Sequence, residues 1–182
     1  MKKLISIICA LTLVMAVFAG CGNKNDGKKE EIPSGKLKEI HEAVKKAYGE
    51  AYYPNLTLNA EEIDQKFDIE KELYKEAIAE VPKISVNVDT FVGIEAAEGK
   101  AEEVEKELKD YREDLIENSR QYPMNKPKVD ASEVYRKGNY VFFLMLGEIP
   151  MEIMDGEDEE AKVKAAKEQN KIAIEAIEKV LK

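Results

Sequence analysis

The stretch "ISVNVDTFVGIEA", residues 84–96, decides the fold class. Ile84, Val86, Val88, Thr90, Val92 and Ile94 alternate with Ser85, Asn87, Asp89 and Glu95. A period of two is that of a β-strand with one face turned to a core. Directly afterwards the period changes. Glu98 and Gly99 turn the chain, and Ala97, Ala101, Val104, Leu108, Tyr111 and Leu115 recur at steps of four and three among charged residues. That stripe predicts a long amphipathic helix over 97–120, its narrow apolar line against a sheet and the rest in water. The same heptad also suits a dimeric coiled coil, although it runs for barely three heptads.

Towards the C-terminus, a loop marked by Pro123 and Pro127 leads into "SEVYRKGNYVFFLML", residues 132–146. Gly138-Asn139 between two β-prone runs is a tight hairpin signal. Tyr140 to Leu146 is apolar at every position, as expected of a central strand covered on both sides. The acidic run Asp155-Gly156-Glu157-Asp158-Glu159-Glu160 then opens a helix over about 157–181, with Ala165, Ile172, Ala173, Ala176, Ile177 and Val180 as its apolar positions. Acids in a first turn complement the helix dipole, so the run needs no bound ion. A calcium site is the alternative, but the run lacks the spacing of an EF-hand loop.

Towards the N-terminus, Leu37, Ile40, Val44, Ala47 and Ala51 mark an amphipathic helix that Tyr52-Tyr53-Pro54-Asn55 stops. Asn59 and Glu62 form a capping-box pattern ahead of a short helix through Ile63 and Phe67. "DIEKELYKEAIAEVP", residues 68–82, reads as a helix, with a strand near its end as the alternative. The expected class is α+β: an antiparallel sheet with helices packed mainly on one face, plus a C-terminal helix.

Ahead of the folded part, the chain has the layout of a secretory signal. Met1-Lys2-Lys3 is basic, and the 15 residues Leu4–Phe18 are apolar or small. That falls short of the roughly 20 residues a spanning helix needs. Phe18-Ala19-Gly20-Cys21 resembles the bacterial lipobox, whose usual form is Leu-Ala-Gly-Cys; Phe18 replaces the aliphatic residue. The resemblance implies that signal peptidase recognises Phe18, Ala19 and Gly20, cleaves before Cys21, and leaves a diacylglyceryl group on the Cys21 thiol. An ordinary signal peptide cut after Ala19 or Gly20, leaving a free thiol, is the alternative. Each buried methylene contributes ~0.8 kcal/mol, so two or more acyl chains hold a protein on a membrane. Residues 21–35, the lipidated cysteine with "GNKNDGKKEEIPSG", read as a flexible tether with a root-mean-square reach of about 20 Å. One domain follows from residue 36 to 182.

Charge and composition narrow the function. The formal net charge is −9, and loss of residues 1–20 removes two lysines and no acid, taking it to −11. Such a chain repels phosphate backbones and anionic membranes, so no nucleic acid is expected and only the lipid on Cys21 holds it to the bilayer. Cys9 lies in the segment expected to be removed, so no disulfide pair or metal-binding cysteine cluster remains. His41, the only histidine, sits beside the apolar stripe of the first helix, where a half-buried structural histidine is the plain alternative to a general base. Zinc lacks its His and Cys ligands. No G-x-S-x-G elbow accompanies Ser85, Ser119 or Ser132, and Ser-His catalysis would have to use His41. "GIEAAEGKA", residues 93–101, departs from a phosphate-binding loop in its spacing, in lacking Ser or Thr after Lys100, and in placing Glu95 and Glu98 where phosphate would lie. Tyr48, Tyr52 and Tyr53 either plug the core or form a sugar or peptide platform. No cofactor, metal or catalytic residue is expected.

The order of strand, Gly99-Lys100, charged helix, Gln121-Tyr122-Pro123 and the Lys137-Gly138-Asn139-Tyr140 hairpin resembles the domain of unknown function 4358 family. Those are small bacterial lipoproteins of a kind common in Firmicutes. The resemblance covers roughly residues 36–148 and leaves the C-terminal helix outside. It implies the fold and a cell-membrane location facing outside the cytoplasm, and it brings no activity or cofactor. The expected function is therefore a non-enzymatic interaction module for an envelope protein or cell-wall component. The alternative is a small-ligand or peptide-binding lipoprotein, and an enzyme is the least supported class. "GEIPMEIMDG", residues 147–156, holds Ile149, Met151, Ile153 and Met154 in a segment that Pro150 is expected to keep out of helix. These side chains either close one end of the core or form a partner patch of Met151, Ile153 and Met154, since flexible thioethers suit adaptable surfaces.

Overall fold

A computed structural model describes residues 32–182 of the chain. Cys21, the recognition residues Phe18, Ala19 and Gly20, and most of the expected tether lie outside the described residues. The expected α+β class holds. Five antiparallel strands form one sheet in the order β1-β2-β3-β5-β4, from β1 (Leu56–Thr57), β2 (Tyr74–Val81), β3 (Thr90–Ala96), β4 (Glu133–Lys137) and β5 (Tyr140–Met145). The helices are α1 (Leu37–Tyr48), α2 (Ala60–Phe67), α3 (Ala101–Asn118), α4 (Lys126–Ala131), the single turn α5 (Met151–Met154) and the C-terminal α6 (Glu159–Val180).

Local signals set several of these elements. Asn59 accepts a hydrogen bond from the Glu62 amide at 3.1 Å while Glu62 accepts from the Asn59 amide at 2.7 Å, closing the capping box of α2. Gly138 has φ 59° in the two-residue turn joining β4 to β5, a conformation glycine takes without strain. Asp158 caps α6 by accepting from the Ala161 amide at 3.0 Å, which gives the acidic run a structural role.

Four expectations about single elements are corrected. The strand quoted above begins at Thr90, not Ile84; Ile84 and Val86 are 62% and 48% exposed. Pro82 ends β2, so the chain ahead of Thr90 has no strand to pair with, and alternation alone cannot hold it flat. β3 itself is buried on both faces rather than one. Residues 74–81 form strand β2, not a helix: the pairing demanded by β3 overrides the helix-favouring Lys, Glu and Ala composition. Finally, Pro150 starts a helical turn instead of preventing one. It precedes the first turn of α5, where its missing N–H has no partner to lose.

The pleat sends alternate residues to two cores. Val92 and Ile94 of β3 with Val141 and Phe143 of β5 face Phe67 of α2 and Val104 and Leu108 of α3. Phe91, Phe142 and Leu144 face the opposite way, against Leu37, Ile40 and Val44 of α1 and Ala173 and Ile177 of α6. The helices therefore divide between the faces: α2 and α3 cover one, α1 and the C-terminal α6 the other. They do not pack mainly on one face as expected, because β3 and β5 are buried on both faces and each face needs a cover. At Gly93, a Cβ would fall 2.9 Å from Leu37 Cδ1, so the glycine admits α1 close against the strand.

Residues 32–35, which composition places at the end of the tether, are held to the sheet. Ser34 Oγ and the Gly35 amide donate to the Glu95 carboxylate, the latter at 2.8 Å. Tyr140 Oη donates to Pro33 O and accepts from the Lys36 amide, both at 2.9 Å.

Candidate functional site

At the end of the sheet where β3 begins and β5 finishes, three connections enclose an open groove of about 870 Å³. The β2–β3 loop supplies Ile84, Val86 and Asn87, the approach to α4 supplies Met124 and Asn125, and the segment after β5 supplies Glu148, Met151, Met154 and Asp155. Tyr53 joins them from the chain after α1. The lining leaves large apolar side chains in water: Met151 is 75% exposed and Met124 58%. Three of the six methionines of the chain, Met124, Met151 and Met154, lie here.

Buried polar contacts fix the loops. Asn125 Nδ2 donates to Val86 O at 2.9 Å, tying the β2–β3 loop to the start of α4. Asp89, fully buried, pairs with Lys128 of α4 and accepts from the Gly147 amide at 3.0 Å. One carboxylate thus links β3, α4 and the exit of β5. Burial pushes the Asp89 carboxyl up, and Lys128 and the Gly147 amide only partly offset it, so it stays above its ordinary value. Tyr53 Oη donates to Glu148 on the groove wall.

The expected patch residues separate. Met151 and Met154 line the groove, while Ile153 packs with Met154 against Ile149, Ala131 and Ala166 in a small satellite core. The alternatives of core closure and exposed patch are both present, divided between side chains one or two residues apart. Of the three tyrosines named as a possible platform, Tyr53 lines the groove while Tyr48 packs in the core; sequence reasoning missed Ile84, Val86 and Met124. The one signal for Met124 was a large apolar residue between two loop prolines.

His41 lies elsewhere, 8% exposed, within a polar cluster under α1. Its Nε2 is 3.1 Å from Glu80 Oε2, to which Tyr52 Oη also donates at 2.9 Å. Burial pushes the Glu80 carboxyl up, yet the hydrogen bonds from His41 and Tyr52 with nearby Lys45 outweigh it and hold it below its ordinary value. Burial and the adjacent Glu80 raise the Tyr52 phenol strongly. The cluster is satisfied internally, and His41 does not line the groove. A second groove of about 750 Å³ runs beside the edge strand β4, between Arg112 of α3 and Lys167 of α6. Arg112 is engaged there by Ser132 O at 2.5 Å and Asp130 O. Among the described residues no group of three His, Cys, Asp or Glu is placed to hold a metal ion, and no helix is long and apolar enough to cross a membrane.

These features define an α+β domain with a sheet covered on both faces and an apolar groove at one end. A model of the domain of unknown function DUF4358 matches residues 47–146, more than half of the chain, and the protein belongs to that family. No curated protein and no solved structure matches the chain significantly. The match contains α2, α3, α4 and all five strands, ends before Met151, and excludes α6 and most of α1.

Proposed function

We propose that this protein is a lipid-anchored, extracytoplasmic bacterial lipoprotein that acts as a non-enzymatic interaction module and docks an envelope protein or cell-wall component in the groove. The observation that carries this reading is the exposure of Met124, Met151, Ile84 and Val86 around one concavity. Contiguous exposed apolar surface marks interaction sites, and it is the feature that the packing of the domain itself does not explain. Methionine suits such a surface because its unbranched chain re-packs against different partners. The lipobox at Phe18–Cys21 supports attachment through an acylated Cys21, and the net charge of −9 speaks against nucleic acid as the partner. No cofactor, metal or catalytic role is assigned: the only histidine is paired with Glu80 away from the groove.

The test is photo-crosslinking in intact cells, with a photoactivatable residue at Met151 and a control at Glu103 on the wet side of α3. A discrete adduct is expected at Met151 and none at Glu103. Adding Cys21→Ala should abolish both fatty-acid labelling and the adduct. Adducts of equal yield at both positions would defeat the docking reading, and normal labelling of Cys21→Ala would defeat the anchor.

A further inference from the structure

The groove is apolar within and anionic at its rim. Glu148 and Asp155 line it, and among the described residues neither forms an ion pair. The cation among its lining residues, Lys128, is occupied by Asp89 and 13% exposed. From Gly147 to Glu160 the chain carries seven acids and no lysine or arginine. Any occupant must therefore offer apolar surface to the methionines and positive charge to the rim.

Resting on the reading of the groove as a docking surface, we infer that its occupant is a basic amphipathic segment of a partner protein. Its large apolar side chains seat against Met124, Met151 and Met154, and its flanking lysines or arginines meet Glu148 and Asp155. Met-lined grooves take the apolar face of a helix and adapt to its sequence. Other occupants fit the charge less well. A second copy of this chain in a two-fold contact would bring the same acidic rim against itself, and anionic lipid headgroups would be repelled.

The experiment uses the processed full-length protein in zwitterionic nanodiscs, with empty nanodiscs as background, and reads fluorescence anisotropy of two labelled amphipathic peptides. One carries leucines at i, i+3, i+4 and i+7 with lysines between them, and the other the same leucines with glutamates between them. The leucine–lysine peptide should bind at least about tenfold more tightly, and less so as salt rises. Glu148→Gln with Asp155→Asn should weaken it about three- to tenfold. Glu113→Gln with Glu117→Gln, which removes the same charge from α3, should leave it unchanged. Met151→Ser with Met154→Ser should abolish binding of either peptide. Because Met154 is half-buried, Met151→Lys at its exposed position is the second variant and should also lower leucine–lysine affinity.

The outcomes separate the two readings. Equal binding of both peptides, lost in the methionine variants, would overturn the charge selection and leave the docking surface standing. Equal weakening by both acid pairs would show bulk attraction to an acidic protein and overturn the inference. Binding that survives both methionine changes, or no binding by either peptide, would overturn the docking surface as well. Self-association in sedimentation that Met151→Lys abolishes would assign the groove to a second copy and overturn the basic-segment inference.

Discussion

The face of the sheet under α2 and α3 is closed chiefly by apolar side chains, among them Phe67, Val92, Leu108 and Phe143, with the Arg136–Glu105 pair between β4 and α3 at its edge. The face under α1 and α6 has its own apolar core around Phe91, Phe142 and Ile177, but buried polar groups stud its margins. His41 of α1 bonds Glu80 of β2, Tyr48 donates to Gln169 O at 2.6 Å, and Glu178 of α6 holds Tyr135 and Lys137 of β4. Buried Asn170 of α6 accepts from the Leu146 amide at 3.0 Å and donates to Ala131 O at 2.9 Å. Ser34 and Gly35 reach Glu95 in the same way. Every one of these contacts joins a residue outside the family match at 47–146 to one inside it. Within the matched domain, apolar packing joins the helices to the sheet, and buried polar pairs such as Asp89–Lys128 tie down only loops and the approach to α4. The flanking segments are located by directional bonds in addition to their apolar contacts. Apolar contact is tolerant of small shifts, whereas a buried donor or acceptor that loses its partner costs about 1–3 kcal/mol, so such bonds fix where α1 and α6 sit.

The comparison can be broken first on the apolar face. Leu108→Ala should lower stability by roughly 2–5 kcal/mol, as a cavity-forming change at a fully buried site, with unchanged pH dependence in urea melts at pH 7 and at about pH 3. Little loss would mean that this face is not the main core.

Glu80→Gln, on the other face, should cost about 1–3 kcal/mol at neutral pH, and here acid is diagnostic. The folded-state pKa of Glu80 is held below its unfolded value, so the carboxylate stabilises the fold above the ordinary range near 4.5 and loses that contribution as pH falls through its own lower value. The gap between wild type and Glu80→Gln should therefore narrow in acid. A gap that stays constant with pH would show that Glu80 acts by packing. Asp89 has the opposite sign: its raised pKa makes ionisation costly, so its share of stability declines as pH climbs above the ordinary aspartate range.

The smallest effect sets the baseline. Glu103→Ala on the wet side of α3 breaks an exposed pair with Lys100 and should change stability by no more than about 0.5 kcal/mol. A larger loss would mean that surface pairs matter as much as the buried ones.

Elements specified within a few neighbouring residues were legible in the sequence. The α3 stripe, the α2 capping box, the Gly138 hairpin and the wholly apolar β5 each need only local geometry. β2 was not, because its residues favour helix and its state is imposed by β3 across the sheet. Ile84 and Val86 continued the strand alternation and misled for the same reason: alternation does not say whether a partner strand extends that far. The groove was half legible. Met151 and Met154 stood out as large apolar side chains in a connection, but Tyr53, Ile84, Val86 and Met124 reach it only once three distant connections converge. The Asp89–Lys128 pair carries no sequence signal, since neither residue type is unusual at its position.

The hold of residues 32–36 on Glu95 and Tyr140 has a mechanical consequence. β3 runs from the groove at Asp89 to Glu95, and β5 returns from Tyr140 to Gly147, so the chain enters the domain at one end of these strands and the groove lies at the other. Six residue steps from Asp89 to Glu95 at ~3.3 Å separate the ends by about 20 Å. With the lipid on Cys21 as proposed, traction between a membrane and a docked partner is applied parallel to β3 and β5. Their ladder bonds lie perpendicular to that direction. They are loaded together in shear, instead of parting one at a time as they do when a hairpin is peeled from its open end.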